Sequence, residues 1–470
     1  MDGLECNEIL LSEIGSWNPI FRIDAEFFNK EAVKIDSMIR GRSHYYISRE
    51  QVVSGPFGST LKSESYLVSG DVPFIRIENI RGGFYINPNE IVFISNHDNN
   101  RIKNSELQVD DIVLSKVGNT IGFFARVDER LSICNISENN IGIKMSKYPK
   151  PQRKYILTYL NSKHAQKLVK RRTSGNAQPK LNVGDVCLIP IPAFSDTFCN
   201  IIAQLIDESE ESLVRAENGY KEAENVLSKT LNIQEVSQNT PVKSEKQLTE
   251  SFLLTGRLDA EYYQPKYESI ANELNTSEKV ASLCNIYDDT FIPATDTEYR
   301  YIELANVGHY GDVSGVESVA GEDLPSRARR KVATGEVIIS SVEGSLQSCA
   351  LIDDEFDGAL CSTGFYVLDS DEINSETLLV LFKSEPIQAL MKQRCSGTIL
   401  TAISKDELLS MPLPKINSDV QKTVAEKVQE SFALRRKSKE LLEYAKQAVE
   451  MAIEQGEDVA LEWLKEKVGE

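Results

Sequence analysis

Long apolar runs are missing from this 470-residue sequence. Stretches such as Leu378 to Phe382 fall far short of the roughly 18 residues that a membrane span needs. The opening MDGLECNEILLSEIGS carries acids where a secretory leader has a basic cluster and an unbroken apolar stretch, so the chain is expected to stay in the cytoplasm. Histidine is scarce, with four in the chain and no two within five residues of each other. The cysteines (Cys6, Cys134, Cys187, Cys199, Cys284, Cys349, Cys361 and Cys395) include no CxxC pair. That usage argues for reduced, packed thiols and against a metal site. No GxGxxG cradle, GxxxxGK[ST] phosphate loop, Asn/Asp-Pro-Pro-aromatic tetrapeptide or HExxH occurs anywhere. These absences argue against a chain that alone methylates DNA or hydrolyses ATP. A nuclease built of scattered Asp, Glu and Lys leaves no pattern to look for.

What is present is ordinary globular material. Hydrophobic residues make up 41% and charged residues 26%, enough for each of roughly three domains, at about 150 residues apiece, to bury a core. The net charge of −19 argues at first against a phosphate-rich partner, because such partners release counterions to clustered Lys and Arg. The acid is unevenly spread. Residues 1–195 hold 25 Lys and Arg against 21 Asp and Glu, whereas residues 251–417 hold 13 against 27. The first block could hold a polyanion; the later one could do so only through a local patch such as Arg327, Arg329, Arg330 and Lys331.

The chain is written twice. Arg22-Ile-Asp-Ala-Glu-Phe-Phe returns as Arg257-Leu-Asp-Ala-Glu-Tyr-Tyr at an offset of 235. Ser174, Gly175, Leu181, Asp185, Pro190 and Pro192 line up with Ser396, Gly397, Ile403, Glu407, Pro412 and Pro414 at an offset of 222. Between them, Asp111-Ile-Val-Leu-Ser answers Glu336-Val-Ile-Ile-Ser, and IRIENI from Ile75 answers IELANV from Ile302. Repeats at such long period define the architecture of a chain. Each copy opens with the Arg-Asp-Ala-Glu element. Short β-rich segments bounded by Gly, Asn, Asp and Pro follow, in the first copy at 72–80, 90–95, 111–117, 122–127 and 140–145. Then come a helical stretch (154–172 or 376–394), a Ser-Gly turn, and LIPIP or MPLPKI, whose prolines end regular structure. Each copy reads as a mixed α+β domain.

Between the copies, Ile202, Ile206, Ser209, Leu213, Ala216, Tyr220, Ala223 and Leu227 step at heptad spacing, the seam of one helix against another. Glu208, Glu210, Glu211, Glu217, Glu222 and Glu224 are expected to face water. A second helix starts near Asp419, with Val424, Val428, Leu442, Ala445, Val449 and Ala452 on one side. The two can lie antiparallel. A helix of about 33 residues is a rod of roughly 50 Å, longer than the roughly 34–36 Å of one turn of duplex DNA.

The duplicated Arg-hydrophobic-Asp-Ala-Glu-aromatic-aromatic element, the stretch Ser54-Gly-Pro-Phe-Gly-Ser-Thr-Leu-Lys62, and Ser-Gly followed by PxP before a heptad helix resemble the specificity subunit (HsdS) of type I restriction–modification systems. The resemblance spans residues 20 to about 455. It implies two target-recognition domains in a pseudo-twofold repeat, at 1–195 and 251–417. A spacer helix at 196–235, a linker at 236–250, a second spacer helix at 418–455 and a tail at 456–470 complete the chain. It further implies a non-catalytic subunit that reads a split site on double-stranded DNA and docks a methyltransferase subunit and a restriction or motor subunit. S-adenosylmethionine then belongs to the methyltransferase, and this chain binds no cofactor and no metal.

Side chains that can match base edges are Arg, Lys, Asn, Gln, Ser and Thr on exposed loops. In the first copy Ser59, Thr60 and Lys62 follow two glycines that let backbone approach phosphate closely. Arg76 and Asn79 fall on opposite faces if IRIENI is a strand. Lys116, Asn119 and Thr120 sit on the turn after IVLS. In the second copy Asn306, Arg327, Arg329, Arg330, Lys331, Ser345 and Gln347 hold similar places. The Arg22-Asp24-Glu26 and Arg257-Asp259-Glu261 sets read better as structural anchors beside paired aromatics than as catalytic pairs. The basic run Lys167, Lys170, Arg171, Arg172 ends a helix, where cations offset the dipole, so it reads equally as a cap and as a contact. A different class of reading is an acidic scaffold or DNA-mimicking decoy that binds protein through the second copy.

Overall fold

The computed structural model describes residues 8–12, 14–15, 18, 21–80, 82–89, 91–175, 179–231, 243–397 and 401–469. The principal helices are α1 (Lys30–Arg40), α2 (Lys150–Asn161), α3 (Lys163–Arg172), α4 (Asp196–Leu231), α5 (Ser375–Lys383), α6 (Glu385–Arg394), α7 (Ser418–Gln455) and α8 (Glu457–Val468). The chain divides into two compact units, Met1–Glu211 with Lys437–Glu470, and Ser212–Arg436. The boundary falls inside α4 and inside α7.

In the first unit the strands of the two main sheets are β1 (Val52–Ser54), β2 (Val72–Ile75), β3 (Phe84–Tyr85), β4 (Val92–Ile94), β5 (Leu107–Gln108), β6 (Ile112–Ser115), β7 (Phe124–Arg126), β8 (Ile133–Ile136) and β9 (Asn140–Ile143). They build a sheet in the order β1-β9-β6-β7-β3 and a second in the order β4-β2-β8-β5. In the second unit β10 (Asn285–Tyr287), β11 (Glu298–Ile302), β12 (Ser318–Ala320), β13 (Ala328–Lys331), β14 (Val337–Ser340), β15 (Cys349–Leu351), β16 (Leu360–Ser362) and β17 (Phe365–Asp369) make sheets ordered β10-β17-β14-β15 and β12-β11-β16-β13. Four strands of the first sheet and all four of the second recur in the same order, down to the single parallel pair in the second sheet, β2 with β8 and β11 with β16, whereas β3, parallel to β7 at the edge of the first sheet, has no counterpart among the described residues of the second unit. The duplication in the sequence is a duplication of topology.

The runs IVLS and VIIS do not alternate because both faces of their sheets are covered. Ile112 and Leu114 of β6 belong to a core with Ile156, Leu160 and Leu168 of the helices, while Val113 belongs to another with Ile75 and Ile136 of the second sheet. In the second unit Val337 and Ile339 join the helical core and Ile338 joins Ile302 and Cys361.

Each predicted helical stretch is two helices. Ser162 breaks the first and accepts a hydrogen bond from Ala165 N, capping α3; Ser384 holds the matching place between α5 and α6. The closing LIPIP is tied down by α2: the buried Tyr155 and Tyr159 hydroxyls donate to the carbonyls of Pro192 at 2.7 Å and Pro190 at 2.6 Å.

The two long helices run antiparallel, roughly 54 and 57 Å at 1.5 Å per residue. In the first unit Ser209 of α4 meets Ser438 of α7 at 2.8 Å and Lys437 pairs with Glu208. In the second, Ser431 Oγ donates to Ala216 O at 2.7 Å and Lys427 pairs with Glu222. The heptad seam is buried at Ile202, Ile206, Ser209, Ala216, Tyr220, Ala223 and Leu227, with Leu213 half-buried. Glu210 departs from expectation. It turns into the first unit and pairs with Arg126, because an arginine buried in β7 needs a carboxylate. Residues 457–468, expected as a tail, form α8, whose Ala460 and Leu464 enter the first helical core. No helix among the described residues is long and apolar enough to cross a membrane.

Candidate nucleic-acid interface

The repeated Arg-Asp element is an anchor, built the same way twice. Arg22 grips Asp24 with two hydrogen bonds of 2.8 Å and donates to Thr173 O at 2.8 Å, the carbonyl just after α3. Arg257 grips Asp259 at 2.7 and 2.8 Å and donates to Cys395 O at 2.9 Å, just after α6. Each guanidinium lies over the first aromatic of its pair, 5.0 Å from Phe27 and 4.4 Å from Tyr262. Arg171, from the basic run, is buried. It donates to Phe27 O, stacks on Phe27 and pairs with Asp36 at 3.5 Å. Arg172 is buried as well, so two of the four cations in that run belong to the core.

The hydrogen bond from Arg22 holds the Asp24 carboxyl below its ordinary 3.8, and Arg257 does the same for Asp259. A depressed folded value stabilises above the unfolded value and loses that stabilisation as pH falls through the folded one. Both carboxylates are nearly half exposed, so the effect is below about 1 kcal/mol per pair. Asp24→Asn with Asp259→Asn is therefore expected to lower the unfolding temperature by a few degrees at pH 7, with the gap to the native chain narrowing as pH falls below the ordinary 3.8 and through the lower folded values. Thermal melts across the acid range measure it; a gap that does not narrow as the solution is acidified would contradict the assignment.

The candidate readers separate into two groups. Some side chains hold turns. Ile77–Ile80 is a 3-10 turn rather than the end of a strand, so odd–even counting fails there. Asn79 is buried, its Oδ1 accepting from Arg76 N at 2.9 Å. Asn306 does the same for Glu303 N at 2.8 Å and also donates to Ser314 O and Gly315 O. Thr120 bonds the Ser115 hydroxyl at 2.8 Å, and Ser345 bonds that of Ser340 at 2.9 Å, in matching turns after β6 and β14. Arg330 donates to Phe365 O and lies over Tyr366, so it serves β13. Arg329 Nε donates to Ser326 O at 3.0 Å, and Lys331 lies 5.9 Å from the Phe291 ring. The Asn119 side chain lies outside the description.

Other candidates face outward. Ser59, Thr60, Lys62, Arg327 and Gln347 are exposed. Lys62 and Arg76 line one cleft of 480 Å³ with Phe57, Tyr66, Phe74 and Glu138. Arg76 pairs with Glu78 at 2.9 Å. Lys116 sits beside this cleft, its Nζ on Ser54 Oγ at 2.9 Å and its backbone N–H on Asn139 O at 3.0 Å; partial burial pulls its ammonium down. The loop Gly55–Lys62 is seated by Gly55, where a Cβ would stand 1.9 Å from Ser137 O, so only glycine allows the approach. Gly58 N–H donates to the Glu138 carboxylate at the far side of the cleft.

Glu138 was not among the residues expected from sequence, because acids were set aside as base readers. Its place becomes visible through the second unit. Lys116 N bonds Asn139 O, and Ser341 N bonds Gly364 O at 2.8 Å, each next to the paired strand residues Ser115 with Asn140 and Ser340 with Phe365. Glu138 and Thr363 therefore occupy equivalent tips, as do Lys116 and Ser341, while Arg76 answers Glu303 at the turn made by the matching asparagines. The frames agree and the exposed side chains upon them differ.

No protein-family model matches the chain, and no curated protein matches it. Among solved structures, it is similar to the type I restriction–modification system S subunit from M. genitalium, at 14% identity over 88% of this chain and 96% of that one, TM-score 0.39. The HsdS subunit from Thermoanaerobacter tengcongensis matches at 13% identity over 88% and 97%, TM-score 0.26. A chain from a structure on complex assembly and conformational transition of the type I R-M system matches at 14% over 82% and 92%, TM-score 0.26. The solved structures to which this chain is similar over most of its length thus include S subunits of type I restriction–modification systems.

Proposed function

We propose that this chain is the sequence-specific DNA-recognition subunit of a type I-like restriction–modification or phage-defence complex, reading a bipartite target with one module per half. The observation that supports it is the pair of modules that share the order of eight strands and differ at their exposed tips. A protein that bound the same ligand twice would keep the tips alike. Two different short words on a duplex need the same scaffold with different donors and acceptors. On this reading the chain is itself non-catalytic and works in the cytoplasm. It binds no cofactor, and an adenine methyltransferase subunit, which carries S-adenosylmethionine, and a restriction or motor subunit dock on it.

Incubating the full chain with a library of randomised duplexes, then recovering and sequencing what is bound, tests this. Two blocks of specified bases separated by a constant interval are expected, with affinity that weakens as salt rises. Recovery without any preferred sequence would overturn the reading, and binding indifferent to salt besides would favour an acidic protein-binding scaffold.

A further inference from the structure

We propose that Glu138 and Thr363 are specificity-determining residues, each selecting one base of the half-site that its module reads, with Glu138 choosing cytosine. This rests on the reading of the chain as a sequence-specific DNA-binding subunit. The two residues sit at the turn that enters β9 and the turn that enters β17, and both are exposed. The same backbone hydrogen bond closes each tip, Lys116 N to Asn139 O and Ser341 N to Gly364 O, so the side chain between is free to vary without disturbing the frame.

The chemistry at position 138 narrows the ligand. A carboxylate on a surface that meets DNA is repelled by phosphates. On the DNA itself it can be met favourably by a donor on a base edge, and the donor that suits Glu is the N4 amino group of cytosine in the major groove. The carboxylate is also held in place. One oxygen accepts from Gly58 N–H, and a Cβ on Gly58 would come within 2.5 Å of that oxygen, so the loop and the acid are fitted to each other. Lys62 and Arg76 line the same cleft as the acid, and Lys116 stands close enough to feel its charge; these cations suit the flanking phosphates. Thr363, with a hydroxyl that both donates and accepts, can meet more than one base. The amide N–H of Thr363 donates to Arg327 O at 2.9 Å, which puts the exposed Arg327 beside it as the neighbouring cation.

The experiment uses the full chain and the same duplex selection with three variants, Glu138→Gln, Glu138→Thr and Thr363→Glu, each first matched to the native chain by thermal unfolding. The native chain is expected to require a C·G pair at one position of one half-site. Glu138→Thr should reduce that preference by on the order of tenfold and leave the other half-site untouched. Glu138→Gln should move the preference toward adenine, which a side-chain amide reads. Thr363→Glu should create a cytosine preference in the second half-site. An unchanged motif in the Glu138 variants overturns the proposal, and so does an equal weakening of every position in the first half-site, which would mean that Glu138 only seats the loop. If the native chain itself enriches no motif, the parent reading has failed and this one falls with it, an outcome that the variants cannot mimic.

Discussion

Replacing Arg126 by methionine is expected to destabilise the first unit by about 3 to 5 kcal/mol, the cost of leaving a buried charge without its partner. Arg126 is 2% exposed and is the largest fully buried side chain among the described residues. Its Nη1 donates to Asp110 at 2.8 Å, and Nη2 pairs with Glu210 of α4. Asp110 keeps a second cation, Arg153 at 3.2 Å, so the loss falls mainly on Glu210, whose side chain is 19% exposed. The effect therefore lies nearer the lower bound. Glu210→Leu in the same chain should recover much of the loss, because an apolar pair of similar volume often replaces a buried ion pair without penalty. Urea unfolding followed in the transition of the first unit measures both. If the double variant is no more stable than the single one, packing rather than charge explains the effect.

The second large effect concerns affinity. Lys62→Ala with Lys116→Ala is expected to weaken DNA binding roughly 30-fold near 0.15 M salt and to lower the slope of log affinity against log salt by about two. Arg329→Ala with Arg330→Ala should change affinity several-fold less, despite removing equal charge. The reason lies in the commitments each cation already has. Arg330 is spent on Phe365 O and the Tyr366 ring, and Arg329 on Ser326 O. Lys62 is exposed in the cleft, and Lys116 gives one hydrogen bond to Ser54 and has donors left. The arginine variant should instead lose about 1 to 2 kcal/mol of stability in the second unit. Anisotropy titrations of one duplex at several salt concentrations decide the ranking, and the reverse order would assign the phosphate contacts to the second module.

Features set by near neighbours or by repetition are legible in the sequence. The two long helices follow from heptad steps such as Ile202 and Ile206, since helical periodicity depends on neighbours a few residues away. The Arg22 and Arg257 anchors were recognisable because the element recurs beside aromatics. In the first copy β2, β4, β6, β7 and β9 lie where the β-rich segments are, except that Ile77–Ile80 curls into a 3-10 turn and buries Asn79, whereas β1, β3, β5 and β8 fall outside every segment that the sequence marked. A strand period cannot announce where the strand stops.

The rest belongs to the tertiary structure. Arg126 meets Glu210 across 84 residues of chain, and Glu138 meets Gly58 across 80, so no window of sequence contains either pair. The offset that relates Asp111 to Glu336 also relates Glu138 to Thr363, but that both side chains stand exposed at equivalent tips is seen only in the folded chain. Repetition and helical period are properties of the chain read along its length, and they determined the duplicated plan. Which exposed side chains remain free to meet a ligand depends on what the folded neighbours have already claimed, and only the packed structure decides that.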